Sequence, residues 1–298
     1  MIIVKEILER IDYIDFVGND QLKINYVLPI LELNNAENAI SWCADKNEDI
    51  LKTIKTNSLI IVSQNNNQTQ SLKNYLIVEN PRRTFQEILS VFFTKSRKPT
   101  ISHSAIIDKT SKIGKDVFIG NNVVIEENCI IGNNTTIQHN TTILRDTIIG
   151  NNVTIGCNNT IGGIGFGYEK NKNGDFELIP HIGNVVIKNN VDIGNNTCID
   201  RAVLGSTILE DNVKVDNLVH IAHGVKVGRN SVVIANAMVA GSVNIGENSW
   251  IAPSSSILNK RDVGNNALVG MGAVVTKHVE DNTIVAGNPS KFIRHIND

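Results

Sequence analysis

The chain has 298 residues, enough for one large domain or two ordinary ones with a sizeable core. Hydrophobic residues make up 41% and charged residues 19%, which excludes a disordered chain, and no run approaches the ~20 apolar residues of a membrane span. With 28 basic against 30 acidic residues the formal net charge is −2, which argues against bulk nucleic-acid binding.

Only 5% of residues are aromatic, so Ile and Val must fill the interior while Asn and Gly serve turns or a repeat. The N-terminus, MIIVKEILER, places Lys5 and Glu6 too early for a signal-peptide apolar core. Cys43, Cys129, Cys157 and Cys198 form no CxxC pair, which reads as reduced thiols. A cytoplasmic protein is expected.

Residues 1–98 lack any repeat and read as a small α/β domain plus linker. SLIIV and YLIV look like short buried strands. TFQEILSVFF at 84–93 offers Thr84 and Glu87 as a capping box, with Phe85, Ile88, Leu89 and Phe92 on one helical face. The basic, proline-containing TKSRKPT at 94–100 has the character of a linker.

From Ile101 to Ile161 an aliphatic residue returns every six positions. The register lapses over 162–186, resumes at Ile187, takes up four extra residues near GSTI, and runs from Leu209 to Val275. Eleven of the 22 glycines directly follow the aliphatic position. A period of six fits neither a helix nor an alternating strand. It fits a hexapeptide β-helix over 99–298, with three hexads per coil and roughly eight or nine coils. Residues 18 apart should then lie on neighbouring coils, ~4.8 Å from each other.

The break in register predicts a loop inserted at 163–184, GFGYEKNKNGDFELIPHIG being too long for a corner. Such a loop is a natural arm for reaching a neighbouring subunit. Beyond it, His220 and His223 stand out in DNLVHIAHGV. His223 sits two places after Ile221 and should point outward, a phase shared by His139 and His103. Gly241 lies 18 residues on, so its N–H should sit one coil from that imidazole. A base beside an amide donor is the minimum kit for acyl transfer.

GFGYEKNKNGDFELIPHIG, IDR at 199–201, DNLVHIAH at 216–223 and AGS at 240–242 together resemble the LpxD family. Those enzymes are the N-acyltransferases of lipid A and hence lipopolysaccharide synthesis, acting on UDP-3-O-(3-hydroxyacyl)glucosamine. VENPRRTFQEIL and AISWCADKN resemble that family's N-terminal domain and its uridine-contacting segment. The IAH string also occurs in the pathway's O-acyltransferase, and the leading α/β domain points to the N-acyl branch.

The resemblance implies a mostly β protein, a left-handed parallel β-helix behind a nucleotide-binding α/β domain, assembled as a homotrimer. It implies His223 as catalytic base and Gly241 as backbone oxyanion donor. Trp42 would stack on the nucleotide base, with Asp45 a polar contact to it. Asp216 and Asn217 match groove residues near the thioester, and Phe166, Tyr168, His220 and Lys260 complete the implied substrate contacts. No cofactor is implied, only an acyl-CoA or acyl carrier protein (ACP) thioester as co-substrate for a nucleotide-linked amino sugar. Lys260 stands where the family has a second histidine, and Glu48 where it has a tyrosine. AGNPSKFIR resembles the ending of short-chain acetyltransferases, so no long helical tail is expected. Relatives that acylate UDP- or dTDP-amino sugars of O-antigen with acyl-CoA keep both donors open. Two other classes stand beside this reading. One is a γ-type carbonic anhydrase with His220 and His223 on zinc, for which no clear third ligand is visible. The other is a non-enzymatic β-helix scaffold.

Overall fold

The computed structural model describes residues 1–66, 68–94 and 97–296 and divides into two compact units, Met1–Ser96 and Arg97–Asp298. The split falls two residues before the boundary read from the sequence, and Lys95 and Ser96 of the expected linker lie outside the described residues.

In the first unit a five-stranded sheet runs in the order Asp15–Val17, Asn74–Val78, Asn57–Ser63, Glu37–Trp42, Tyr26–Val27. Only the first pairing is antiparallel. SLIIV is continuously apolar because both its faces are covered. Leu59 and Ile61 join one core with Ile7 and Ile88, whereas Ile60 and Val62 join another with Leu33 and Leu51. The helix spans Pro81–Ile88, which corrects the expected capping box at Thr84. Pro81 presets the first helical φ, and the Asn80 side chain accepts from Arg83 N–H at 3.1 Å. Thr84 is buried inside the first turns instead.

The second unit is a parallel β-helix with walls of 8, 9 and 11 strands, the last including an antiparallel closing hairpin of Thr283–Ala286 with Lys291–His295. Pairing follows the 18-residue offset: Ile113 against Ile131, Ile131 against Ile149, and Ile125 against Ile143. These aliphatic side chains form one buried column through the helix. Corners turn on asparagines in the left-handed region, such as Asn122, Asn134 and Asn230 with φ of 56, 55 and 58°. Asparagine tolerates that conformation, and its amide also bonds the equivalent residue one coil on, as from Asn212 to Asn230 (2.9 Å) and from Asn230 to Asn248 (3.1 Å). The high asparagine content is thus a corner ladder.

The insertion is not structureless. Tyr168–Lys170 pairs antiparallel with Phe176–Leu178, and the chain rejoins the wall at Asn184. The cause is local turn chemistry: Asn171 Oδ1 accepts from the N–H groups of Asn173 (2.9 Å) and Asp175 (3.0 Å), and Gly174 supplies a φ of 87°. All four cysteines are free, and among the described residues no helix is long and apolar enough to cross a membrane.

The inside-outside alternation is directly testable at Ile130 and Ile131, adjacent in one strand but 42% and 2% exposed. Ile131→Ala should cost about 2–5 kcal/mol in urea unfolding, and Ile130→Ala under about 1 kcal/mol. Equal costs would contradict the register.

Candidate active site

One wall of the β-helix contains, in order, Thr160–Ile164, Cys198–Arg201, His220–Ile221, Met238–Val239 and Ser256–Ile257. Each strand leaves this wall by the same corner. The segments 165–183, 202–205, 222–225, 240–243 and 258–261 are therefore stacked on one edge. His223, Gly241 and Lys260 all belong to it, and so does the inserted arm. The arm begins two coils before His223 and folds along the edge to reach it.

His223 and Gly241 are in close contact. A Cβ placed on Gly241 would lie 2.7 Å from both Cε1 and Nε2 of the His223 ring, so only glycine leaves the ring its place. At several equivalent corner positions the N–H is spent on the next coil. Asn195 donates to Asn217 Oδ1 (2.7 Å) and Glu247 to Asn265 Oδ1 (2.8 Å). Gly241 N–H has no partner among the described residues, while its carbonyl accepts from Lys260 N–H at 3.0 Å. At Gly241 the unspent amide donor lies beside an imidazole.

The arm brings a second imidazole that sequence reasoning missed. His181 is 4% exposed and meets His223 edge to face, ring centroids 5.5 Å apart. Its signal in the sequence was weak, because 18-residue register arguments do not extend into an insertion. Burial is the main cause of a His223 pKa below its ordinary value, and the neighbouring His181 adds to it. Asp200, also unanticipated, lies with its Oδ2 3.6 Å from His220 Nε2. Burial pushes the Asp200 carboxyl up, against the opposing influence of His220 and His181.

The other expected residues are spread over the edge, a second corner and the first unit. Asp216 and Asn217 occupy a different corner, between the strands Lys214–Val215 and His220–Ile221. Their side chains serve that corner: Asp216 Oδ1 accepts from Asn217 N–H (2.7 Å), and Asn217 Oδ1 from Asn195 N–H. Phe166 and Tyr168 sit on the arm with ring centroids 5.0 Å apart, Phe166 being 87% exposed. Lys260 holds a left-handed corner (φ 55°) where most coils use asparagine. In the first unit, half-buried Trp42 and Ser41 line a pocket of about 400 Å³ with Leu28, Pro29 and Phe85. Asp45 is nearby in sequence but is engaged by the Ser63 hydroxyl at 2.5 Å. Among the described residues no three His, Cys, Asp or Glu side chains are grouped to hold a metal ion.

Comparison with known proteins gives matches over parts of the chain. Residues 110–145 match the bacterial transferase hexapeptide (six repeats) family. A UDP-3-O-acylglucosamine N-acyltransferase of Cytophaga hutchinsonii is 56% identical over 81 residues, 27% of this chain and 23% of that protein. UDP-3-O-acylglucosamine N-acyltransferase 2 of Legionella pneumophila subsp. pneumophila is 54% identical over 129 residues, 43% of this chain and 37% of that protein. Over those segments the chain is similar to UDP-3-O-acylglucosamine N-acyltransferases.

The matched segments span about a quarter to a third of those relatives' lengths. Among solved structures, UDP-N-acetylglucosamine acyltransferases from Bacteroides fragilis (28% identity, TM-score 0.60) and Campylobacter jejuni (25%, TM-score 0.61) share the β-helix. Each alignment covers 66% of this chain, and 74% and 75% of the respective neighbours.

At this corner the lowered His223 pKa has a direct consequence. Diethyl pyrocarbonate attacks only the neutral imidazole, so modification of His223, followed by peptide mass spectrometry, should reach half its limiting rate below pH 6.5, the ordinary histidine value. A midpoint at or above 6.5 would contradict the enclosure described.

Proposed function

We propose that the chain transfers an acyl group from a thioester to the amine of a UDP-linked amino sugar, in the manner its relatives' names describe. The observation that carries this is the close approach of the His223 ring to Gly241, a residue whose N–H is unspent. Neutral His223 takes a proton from the sugar amine as the nitrogen attacks the thioester carbonyl carbon. Gly241 N–H donates to the oxygen that becomes negative, the kind of aimed donor worth about 10²–10³ in rate. When the tetrahedral adduct collapses, the C–N bond stays, the C–S bond breaks, and the imidazolium returns the proton to the departing thiol. The products are an amide and a free pantetheine thiol, with no further co-reactant.

Three supporting roles belong to this reading. The apolar pocket at Trp42 would take the nucleotide base, with Asp45 beyond its edge. Exposed Phe166, Tyr168, Phe176 and Ile182 on and beside the arm would be covered by a second copy, making the working unit a trimer. At the catalytic edge, Lys260 and the neighbouring Arg261 and Lys226 offer a modest basic patch, suited to the phosphates of coenzyme A as well as to acidic ACP. We favour short or medium acyl-CoA as donor, because this patch is small and the chain carries a net charge of −2. The setting would be cell-envelope synthesis, lipid A or a related O-antigen sugar, in the cytoplasm.

The base assignment is tested by His223→Ala, which should lose about 10²–10⁴ in turnover with the fold intact. His139 is the control of equal phase. Because its Nδ1 accepts from Asn121 N–H at 2.8 Å, the control is His139→Asn, which keeps an acceptor there and should be nearly silent. Equal losses from both variants would remove the base. For the nucleotide site, Trp42→Ala should raise KM for the sugar nucleotide far more than KM for the acyl donor. An unchanged sugar-nucleotide KM with a lowered melting temperature would mark Trp42 as core alone. For the donor, a preference above a hundredfold in kcat/KM for long 3-hydroxyacyl-ACP over matched acyl-CoA would overturn the acyl-CoA choice.

A further inference from the structure

His181 is buried, yet it sits on an excursion from the β-helix whose other residues are largely exposed. Two glycines make this possible. A Cβ on Gly165 would come within 3.0 Å of the His223 ring and 3.1 Å of His181 Nε2, and one on Gly167 within 2.9 Å of His181 Cε1. The left-handed region plays no part at either position, so both glycines are there for space. Any larger residue at 165 would be driven between the two imidazoles. His181 Nδ1 lies 2.7 Å from the carbonyl of Ile179, so it carries a proton and donates it there. That bond fixes the ring's direction. Nε2 is buried, faces Gly165, and has no hydrogen-bond partner among the described residues. A buried nitrogen left unpaired costs about 1–3 kcal/mol, and such costs persist where the surroundings impose them.

We propose that His181 is the positioning residue of this site: carried by the arm and seated on Gly165 and Gly167, it clamps the His223 ring against Gly241 and keeps water from that side. The titratable groups facing the pair are few. Asp200 and His220 approach from the adjacent strands and engage each other at 3.6 Å. The Arg201 guanidinium is turned away, bonded to the carbonyls of Gly162 and Arg145 at 2.8 Å each. The lowered His223 pKa, caused by burial and then by His181, agrees with the clamp. The consequence is that His223 remains a neutral base at a pH where a solvated histidine is partly protonated. That catalytic consequence rests on the acyl-transfer reading, whereas the clamp itself does not.

Two variants of the full chain test it, with diethyl pyrocarbonate modification of His223 against pH as the readout, which requires no substrate. His181→Gln retains an amide that can donate to Ile179 and so keeps the arm in place. Gly165→Ala leaves both histidines but drives a methyl group between them. In His181→Gln the midpoint of His223 modification should rise toward 6.5 and its limiting rate should increase, since both causes of the lowered pKa are weakened. Gly165→Ala should shift the same two quantities with His181 still present. In the amine-acylation assay both variants should lose about 10- to 100-fold in kcat, with KM for the sugar nucleotide little changed and the acid limb of the pH profile moved upward. His223 modification at wild-type midpoint and rate in folded His181→Gln would overturn the clamp, whatever the activity. Shifted modification in a protein that acylates no amine would uphold the clamp and count against the acyl-transfer reading alone.

Discussion

The functional edge depends on the aliphatic column inside the β-helix. Because each coil must return an Ile, Val or Leu to the same internal position, one coil takes 18 residues wherever the repeat is unbroken, and sequence distance becomes vertical distance. A chain held this way cannot adjust one corner without disturbing the stack above and below it, since the interior is close-packed. Rigidity of that kind suits a site whose base and donor come from successive coils. It also imposes a limit: a regular corner offers only what projects from a short turn.

That limit explains why the irregular segments matter. The chain departs from its period between residues 162 and 186, and the hairpin made there returns to the edge from which it left. The departure supplies what the repeat cannot, a side chain that closes over the outside of a corner. Polar bookkeeping points to the same place. At many corners the N–H is satisfied by asparagine or aspartate one coil on, as Asn189 is by Asp211 and Asn151 by Asn189. At Gly241 the donor is left over, and at His181 so is a buried ring nitrogen. Unpaired groups are costly in a folded protein, and two of them flank one imidazole.

Much of this was legible in the sequence because it is periodic. The walls, the register and the adjacency of His223 and Gly241 all follow from counting sixes and eighteens. What counting could not reach was any contact made outside the period. His181 meets His223 through a hairpin whose turn is encoded in NKNGD, but where that hairpin lands is a tertiary matter. Asp216 and Asn217 show the converse case. They stand close to His223 in sequence, yet they turn a different corner and spend their side chains on the ladder. In the first unit the helix start was misplaced because Asn80 and Pro81 cap and preset it, ahead of the Thr84–Glu87 pattern.

The central claim is that this edge joins an acyl group to an amine rather than to a hydroxyl. Mass spectrometry of the products addresses it most directly, with purified chain given UDP- and dTDP-linked amino sugars or their N-acetylated counterparts, and a panel of acyl-CoA and acyl-ACP donors. The account predicts a new amide, heavier by one acyl group, on a UDP-linked amino sugar and none where the amine is already blocked. An ester on the N-acetylated sugar, with the free amine untouched, would contradict it.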